Sequence, residues 1–153
     1  MILNRRTALA SLVALAACAS PPPPPAVVTL EIEGGADQNP DVTGRPSPVA
    51  MQVYFLNATA KFERADVFAL TERERDTLGQ DTAGSEQFVI APGERRSIQR
   101  ELRQGVQAIG IVALFRDVDA GARWRAVVPV ATSGPTAIRL QIEKSAVVAT
   151  SGG

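Results

Sequence analysis

The chain has 153 residues, with 16 basic and 16 acidic side chains, no histidine and one cysteine. That balance is no footprint for nucleic acid or for electrostatic membrane binding. Without histidine, the usual zinc, copper and haem ligands and the base of a serine triad are missing, so binding stands ahead of catalysis.

Residues 1–17 read as a leader. Asn4-Arg5-Arg6 is a short basic start, and the apolar run from Ala8 to Ala17 has signal-peptide length. A permanent spanning helix needs about 20 apolar residues. Cys18 follows Leu15-Ala16-Ala17 at the expected cut. A lone thiol in a leader bound for an oxidising compartment has no internal disulfide partner. Leu-Ala-Ala-Cys resembles a bacterial lipobox, which implies a diacylglycerol on the Cys18 sulfur and an acyl chain on its amino group. At about 0.8 kcal/mol per buried CH₂, several chains make such an anchor effectively permanent. Ala19 stands where an aspartate would favour inner-membrane retention, by analogy with known lipoproteins. Cleavage after residue 17 leaves 136 residues with 14 basic and 16 acidic side chains, enough for one domain.

Pro21–Pro25 favours polyproline II, so residues 18–26 read as a semi-rigid spacer ahead of a domain at 27–150. Val28, Leu30 and Ile32 alternate with Thr29, Glu31 and Glu33, which predicts a first strand with one wet face. Residues 34–48 hold three glycines and three prolines and exclude both helix and strand interior. A connection this long in a compact domain is usually functional or disordered, and its prolines lower the cost of ordering it. Val49–Leu56 predicts a second strand. From Ala60 to Leu70 the period changes to that of a short helix, with Phe62 and Phe68 as core contacts. Thr71-Glu72-Arg73-Glu74 has capping-box form and predicts a further helix ending near Leu78.

Strands resume at Glu86–Ile90. Ala91-Pro92-Gly93-Glu94 predicts a type II turn. Arg96–Leu102 is polar enough for an edge or an exposed sheet face. Ala108–Phe115 is apolar at nearly every position, as in a central strand buried on both faces. Trp124–Val130 forms a hairpin with it, Ile138–Glu143 alternates cleanly, and Val147-Val148 adds a last short strand. Seven or eight short strands argue for an antiparallel β-sandwich with a short helical insertion after the second strand.

In order, the chain offers a lipobox, a loop with Asn39-Pro40-Asp41 and Gly44-Arg45-Pro46-Ser47-Pro48, and the strand Val53-Tyr54-Phe55-Leu56. Phe62, Ala65-Asp66 and Leu70 come next, then Pro92-Gly93-Glu94, Val112-Ala113-Leu114-Phe115-Arg116 and Trp124-Arg125. This series resembles the TssJ (VasD-type) outer-membrane lipoproteins of the type VI secretion system, over essentially the whole chain. The resemblance implies a transthyretin-like sandwich facing the periplasm from the inner leaflet of the outer membrane. It also implies a partner, the periplasmic C-terminal domain of the inner-membrane protein TssM, met partly by the loop between the first two strands. Mapped onto residues 34–48, it makes Asp37, Asn39, Asp41 and Arg45 the expected exposed contacts. It implies no cofactor beyond the lipid on Cys18, no metal and no small-molecule substrate.

Other features carry less. Trp124 between Arg123 and Arg125 fits an interface anchor, though a strand tryptophan after a turn more often closes a core. Asp117 and Asp119 have the spacing of a calcium loop, yet paired carboxylates in a turn are usually turn chemistry. The alternative to the anchoring reading is a periplasmic lipoprotein that binds a small ligand or sugar. That would call for exposed aromatics on a concave face, and aromatics make up only 5% of the chain.

Overall fold

The computed structural model describes residues 18–152; the leader expected over residues 1–17 lies outside them. The prolines of the spacer are exposed and belong to no helix or strand. Eight strands follow: β1 (Ala26–Glu33), β2 (Val49–Leu56), β3 (Thr82–Ile90), β4 (Arg95–Glu101), β5 (Ala108–Leu114), β6 (Arg125–Pro129), β7 (Gly134–Ile142) and β8 (Val147–Gly152). Three short helices, α1 (Ala60–Arg64), α2 (Val67–Glu72) and α3 (Glu74–Leu78), separate β2 from β3. The strands form two four-stranded sheets, ordered β4-β1-β7-β8 and β3-β2-β5-β6. This is the sandwich of the expected class, with β4 at an edge and β5 inside its sheet.

One pairing departs from the purely antiparallel expectation. β1 and β7 run parallel, with Leu30 opposite Ile138 and Ile32 opposite Leu140. Both strands alternate cleanly between faces, and alternation is indifferent to the direction of the neighbour.

The sheets enclose a core built from the inward positions of each strand, among them Val28, Leu30, Ile32, Met51, Val53, Ile109, Ile111, Ile138 and Leu140. A second core lies on the other face of the β3-β2-β5-β6 sheet, where Tyr54, Leu56, Ala108 and Val112 meet Phe62, Val67, Leu70 and Leu78 of the helices. The two cores explain why β5 is apolar throughout: its odd positions face the other sheet and its even positions face the helices. Gly110 makes room for the helical layer, since a Cβ there would lie 2.7 Å from Phe62 Cζ. Phe62 also meets the Tyr54 ring at 5.2 Å between centroids. The Tyr54 hydroxyl donates to the Leu70 carbonyl at 3.0 Å, and burial pushes its pKa well above the usual tyrosine range, with the Glu74 carboxylate adding to the shift.

The helices break differently from the sequence reading. The Asp66 carboxylate caps α2 by accepting from Ala69 N at 2.8 Å. Thr71 caps nothing; its hydroxyl donates back to the Val67 carbonyl at 2.8 Å. With α2 starting at Val67, Val67 and Leu70 take the face toward the sheet. Phe68 is thereby turned outward and left 52% exposed rather than packed in the core.

The sandwich has two distinct ends. At the first, the spacer meets β1: the Ala26 carbonyl accepts from Leu102 N at 2.8 Å, and Gly134 N donates to the Pro25 carbonyl at 3.2 Å. β1 then runs for eight residues, on the order of 25 Å, to the opposite end. There the 34–48 loop, the β3–β4 turn, the β5–β6 loop and the β7–β8 turn gather.

Candidate functional site

The loop between β1 and β2 is a base stitched into the sandwich and a tip that closes on itself. Gly34 and Gly35 begin it because a side chain would collide with the carbonyl oxygens of Ala91 and Ile142 respectively. This close approach lets Gly34 N donate to the Glu94 carbonyl at 2.7 Å and Gly93 N to the Gly34 carbonyl at 3.2 Å. The neighbouring turn is the expected one, with Gly93 at φ +73° and Glu94 N donating to the Ala91 carbonyl at 3.1 Å. The Glu94 carboxyl is held below the usual carboxylate range, first by the Ala91 N–H and then by Arg96.

Two buried amides fix the base. Gln38 is fully buried and donates through Nε2 to the Ile90 carbonyl at 2.8 Å and the Ser47 carbonyl at 3.3 Å. Asn39 is 5% exposed, at φ +44°, a left-handed conformation that asparagine tolerates. Its Nδ2 donates to the Pro48 carbonyl at 2.8 Å, its Oδ1 accepts from Arg116 N at 2.8 Å, and its own N–H donates to the Lys144 carbonyl at 2.8 Å. The Ser47 hydroxyl donates to its carbonyl. One residue therefore ties the loop to itself, to the end of β5 and to the β7–β8 turn.

The tip is organised by Asp41. Its Oδ1 accepts from Thr43 N at 2.8 Å, Thr43 Oγ1 at 2.6 Å and Arg45 N at 3.0 Å. Its Oδ2 faces Arg45 Nε at 3.3 Å, and its N–H donates to the Arg45 carbonyl at 2.8 Å. The Thr43 hydroxyl and the Arg45 N–H hold the Asp41 carboxyl below the usual aspartate range. Gly44, at φ +84°, completes the turn. This packing of polar groups pushes Val42 fully into solvent, at 101% relative exposure.

Of the four expected contacts, Asp37 and Arg45 are exposed, and the Arg45 side chain is 79% exposed. Asn39 is not an exposed contact. Its amide is spent on the loop base, because a left-handed turn among carbonyls needs both a donor and an acceptor there. Asp41 turns most of its carboxylate inward, with 23% of the side chain exposed. Sequence reasoning missed Val42. Its one signal was an apolar β-branched residue without a periodic partner in a polar, proline-rich loop.

The remaining candidates fall elsewhere. Trp124 is half-buried and packs against both cores. Arg125 lies over its ring at 4.7 Å and straps β6 to the helices, donating through Nη1 to the Phe62 carbonyl at 2.9 Å and the Ala65 carbonyl at 2.7 Å. Asp117 opens a short 3₁₀ turn at Val118–Ala120, its carbonyl accepting from Ala120 N at 2.9 Å. Cys18 is exposed, eight residues before β1. Among the described residues, no group of three or more histidine, cysteine, aspartate or glutamate side chains converges as a metal site, and no helix is long and apolar enough to cross a membrane.

Comparison with known proteins places this geometry in context. The chain matches no curated protein. Among solved structures it is similar to the T6SS lipoprotein TssJ1 from Pseudomonas aeruginosa, with 32% identity and a TM-score of 0.81 over 85% of this chain and 98% of that one. It shares its fold with Serratia marcescens Lip, a membrane-bound component of the type VI secretion system, at 21% identity and a TM-score of 0.72 over 84% and 99%. A chain in the structure of the T6SS protein TssM C-terminal domain from EAEC matches at 20% identity and a TM-score of 0.66 over 81% and 97%. Residues 26–145, from the first strand to the β7–β8 turn, match the family model of the type VI secretion lipoproteins VasD, EvfM, TssJ and VC_A0113, and the chain belongs to that family.

Proposed function

We propose that the protein is anchored in the inner leaflet of the outer membrane by acyl chains on Cys18. From there it tethers the type VI secretion membrane complex by holding the periplasmic C-terminal domain of an inner-membrane TssM protein. The role is binding and mechanical coupling, without catalysis. The observation that carries this reading is the position and order of the 34–48 loop. It stands at the far end of β1 from the spacer, so a partner approaching from the periplasm meets it first. Its hydrogen-bonded base and tip mean that little conformational entropy is lost when it docks. The fold shared with a chain in the TssM C-terminal domain structure points to the same partner. A small-ligand reading finds less support, because the exposed large apolar residues among those described, Val42, Phe68 and Val89, belong to a loop, a helix and a strand rather than to one concave patch.

The test is a titration of the lipidated chain, in detergent, against the periplasmic C-terminal domain of the TssM protein encoded with it. A saturable complex that weakens when residues 41–45 are replaced by glycines supports the reading. A folded chain that shows no binding at micromolar concentrations overturns it. Replacing the tip alone is the sharper change, because deleting all of residues 36–46 also removes the buried amides of Gln38 and Asn39.

A further inference from the structure

The chain enters the sandwich without a hinge. Residues 20–24 each precede a proline, which keeps them out of the helical region, and the rings of Pro21–Pro25 fix their own φ. Pro25 leads directly into β1 at Ala26. The first glycine after Cys18 is Gly34, beyond the far end of β1. Polyproline II and β-strand backbones are both extended, so the chain passes from one to the other without reversing. The five prolines are exposed, and they bring no N–H that needs a partner there.

The junction is held from both sides. Gly134 N, at the start of β7, donates to the Pro24 carbonyl at 3.3 Å and to the Pro25 carbonyl at 3.2 Å. On the β4 side, Leu102 N donates to the Ala26 carbonyl at 2.8 Å. One residue further on, β1 is already in register with both neighbours, Val27 lying opposite Glu101 of β4 and Pro135 of β7. The end of the spacer is therefore part of the folded unit rather than a tether swinging beside it.

We propose, on the reading of Cys18 as the lipid anchor, that the spacer and β1 act as one extended strut. The strut stands the sandwich on end and sets the height at which the 34–48 loop is presented. At about 3.1 Å per residue, residues 20–25 lift the first end about 19 Å off the bilayer. β1 adds its own length, on the order of 25 Å, so the loop stands roughly 45 Å away. Residues 130–133, which connect β6 to β7 at the first end, stay in water clear of the headgroups. A partner held at the loop has to offer its docking face at that height. A glycine–serine coil of the same six residues spans only about 13 Å and samples all directions, which lets the sandwich lie against the membrane.

For the test, the lipidated chain is placed in vesicles of phosphatidylethanolamine and phosphatidylglycerol that carry a headgroup-labelled acceptor. Val42→Cys and Ser133→Cys, made one at a time at exposed positions, each take a donor dye, since the lipid occupies the Cys18 sulfur. Time-resolved energy transfer then gives the distance of each end from the bilayer. The expected result is a near position for Ser133 and a far one for Val42, about 25 Å apart and both narrowly distributed. Lengthening the run by five further prolines should raise both distances by about 15 Å and leave their difference unchanged. Replacing Pro21–Pro25 by Gly-Ser-Gly-Ser-Gly should shorten and broaden both, with circular dichroism checking that each variant is folded. A chain that washes off the vesicles overturns the anchor reading and the strut with it. A chain that stays bound but holds Val42 and Ser133 at equal distances, or keeps its distances when the run is lengthened or made flexible, overturns the strut alone.

Discussion

The base and the tip of the 34–48 loop are built from similar short polar residues, yet they use them in opposite ways. At the base, Gln38 and Asn39 are buried and serve backbone groups of other segments: Gln38 Nε2 donates to the Ile90 carbonyl, Asn39 Oδ1 accepts from Arg116 N, and the Asn39 main-chain N–H donates to the Lys144 carbonyl. At the tip, Asp41 serves only residues up to four positions away, and the whole turn stands in solvent. The base belongs to the fold and the tip to whatever the fold presents. Burial of the donors and acceptors, rather than their number, separates the two roles, because an unmet polar group costs most where water cannot replace its partner.

The comparison can be broken most forcefully at Asn39. Asn39→Leu removes the partners of Arg116 N and the Pro48 carbonyl and places a branched residue at positive φ. We expect a loss of about 3 kcal/mol, read as a lower urea midpoint at unchanged slope. An unchanged midpoint would mean the base is not pinned as described. Gln38→Leu keeps the volume and deletes the bonds to Ile90 and Ser47, and should cost about 1–3 kcal/mol in the same experiment.

At the tip the stability effects shrink and the binding effects remain. Asp41→Asn should leave the urea midpoint nearly unmoved while amide exchange of Thr43 and Arg45 speeds up. The pH dependence follows from the lowered pKa. A depressed carboxyl contributes order above its ordinary value of 3.8 and loses it as pH falls through the folded value, so the tip stays closed at neutral pH and opens only below 3.8. Exchange or nuclear magnetic resonance shifts of Thr43 across that range check the sign. The smallest effect on the fold belongs to Val42→Ser, which should leave stability unchanged. If the proposed partner contact is correct, its affinity should fall several-fold, on the order of 1 kcal/mol.

The sequence was legible where a periodic pattern met a two-sided environment. Val49–Leu56 reads as a strand because Met51, Val53 and Phe55 share one side and Gln52 and Tyr54 the other, and β5 announces its double burial by having no polar position. Thr71 and Asp66 show the limit. Both are good caps, and the choice between them was settled by Phe62 and Leu70 packing on the sheet, a tertiary event that local propensity does not encode. The parallel β1–β7 pair was silent for a similar reason, since neither strand's pattern records the direction of its neighbour. In the loop, the resemblance made Asn39 an expected exposed contact. Only the carbonyls gathered around it reveal that the asparagine points inward.

The placement of β1 has a mechanical consequence. The strand carries the chain from the spacer to the loop, and it is flanked along its length by β4 through seven residue pairs and by β7 through eight. In the proposed role, a pull between a lipid anchor and a partner held at the loop would act along β1 in shear. Its cross-strand bonds share that load together rather than parting one at a time, as they would if the strand were peeled from an edge. Resistance to such a pull is governed by the unfolding rate rather than by equilibrium stability, and a strand clamped on both sides is the arrangement that keeps that rate low.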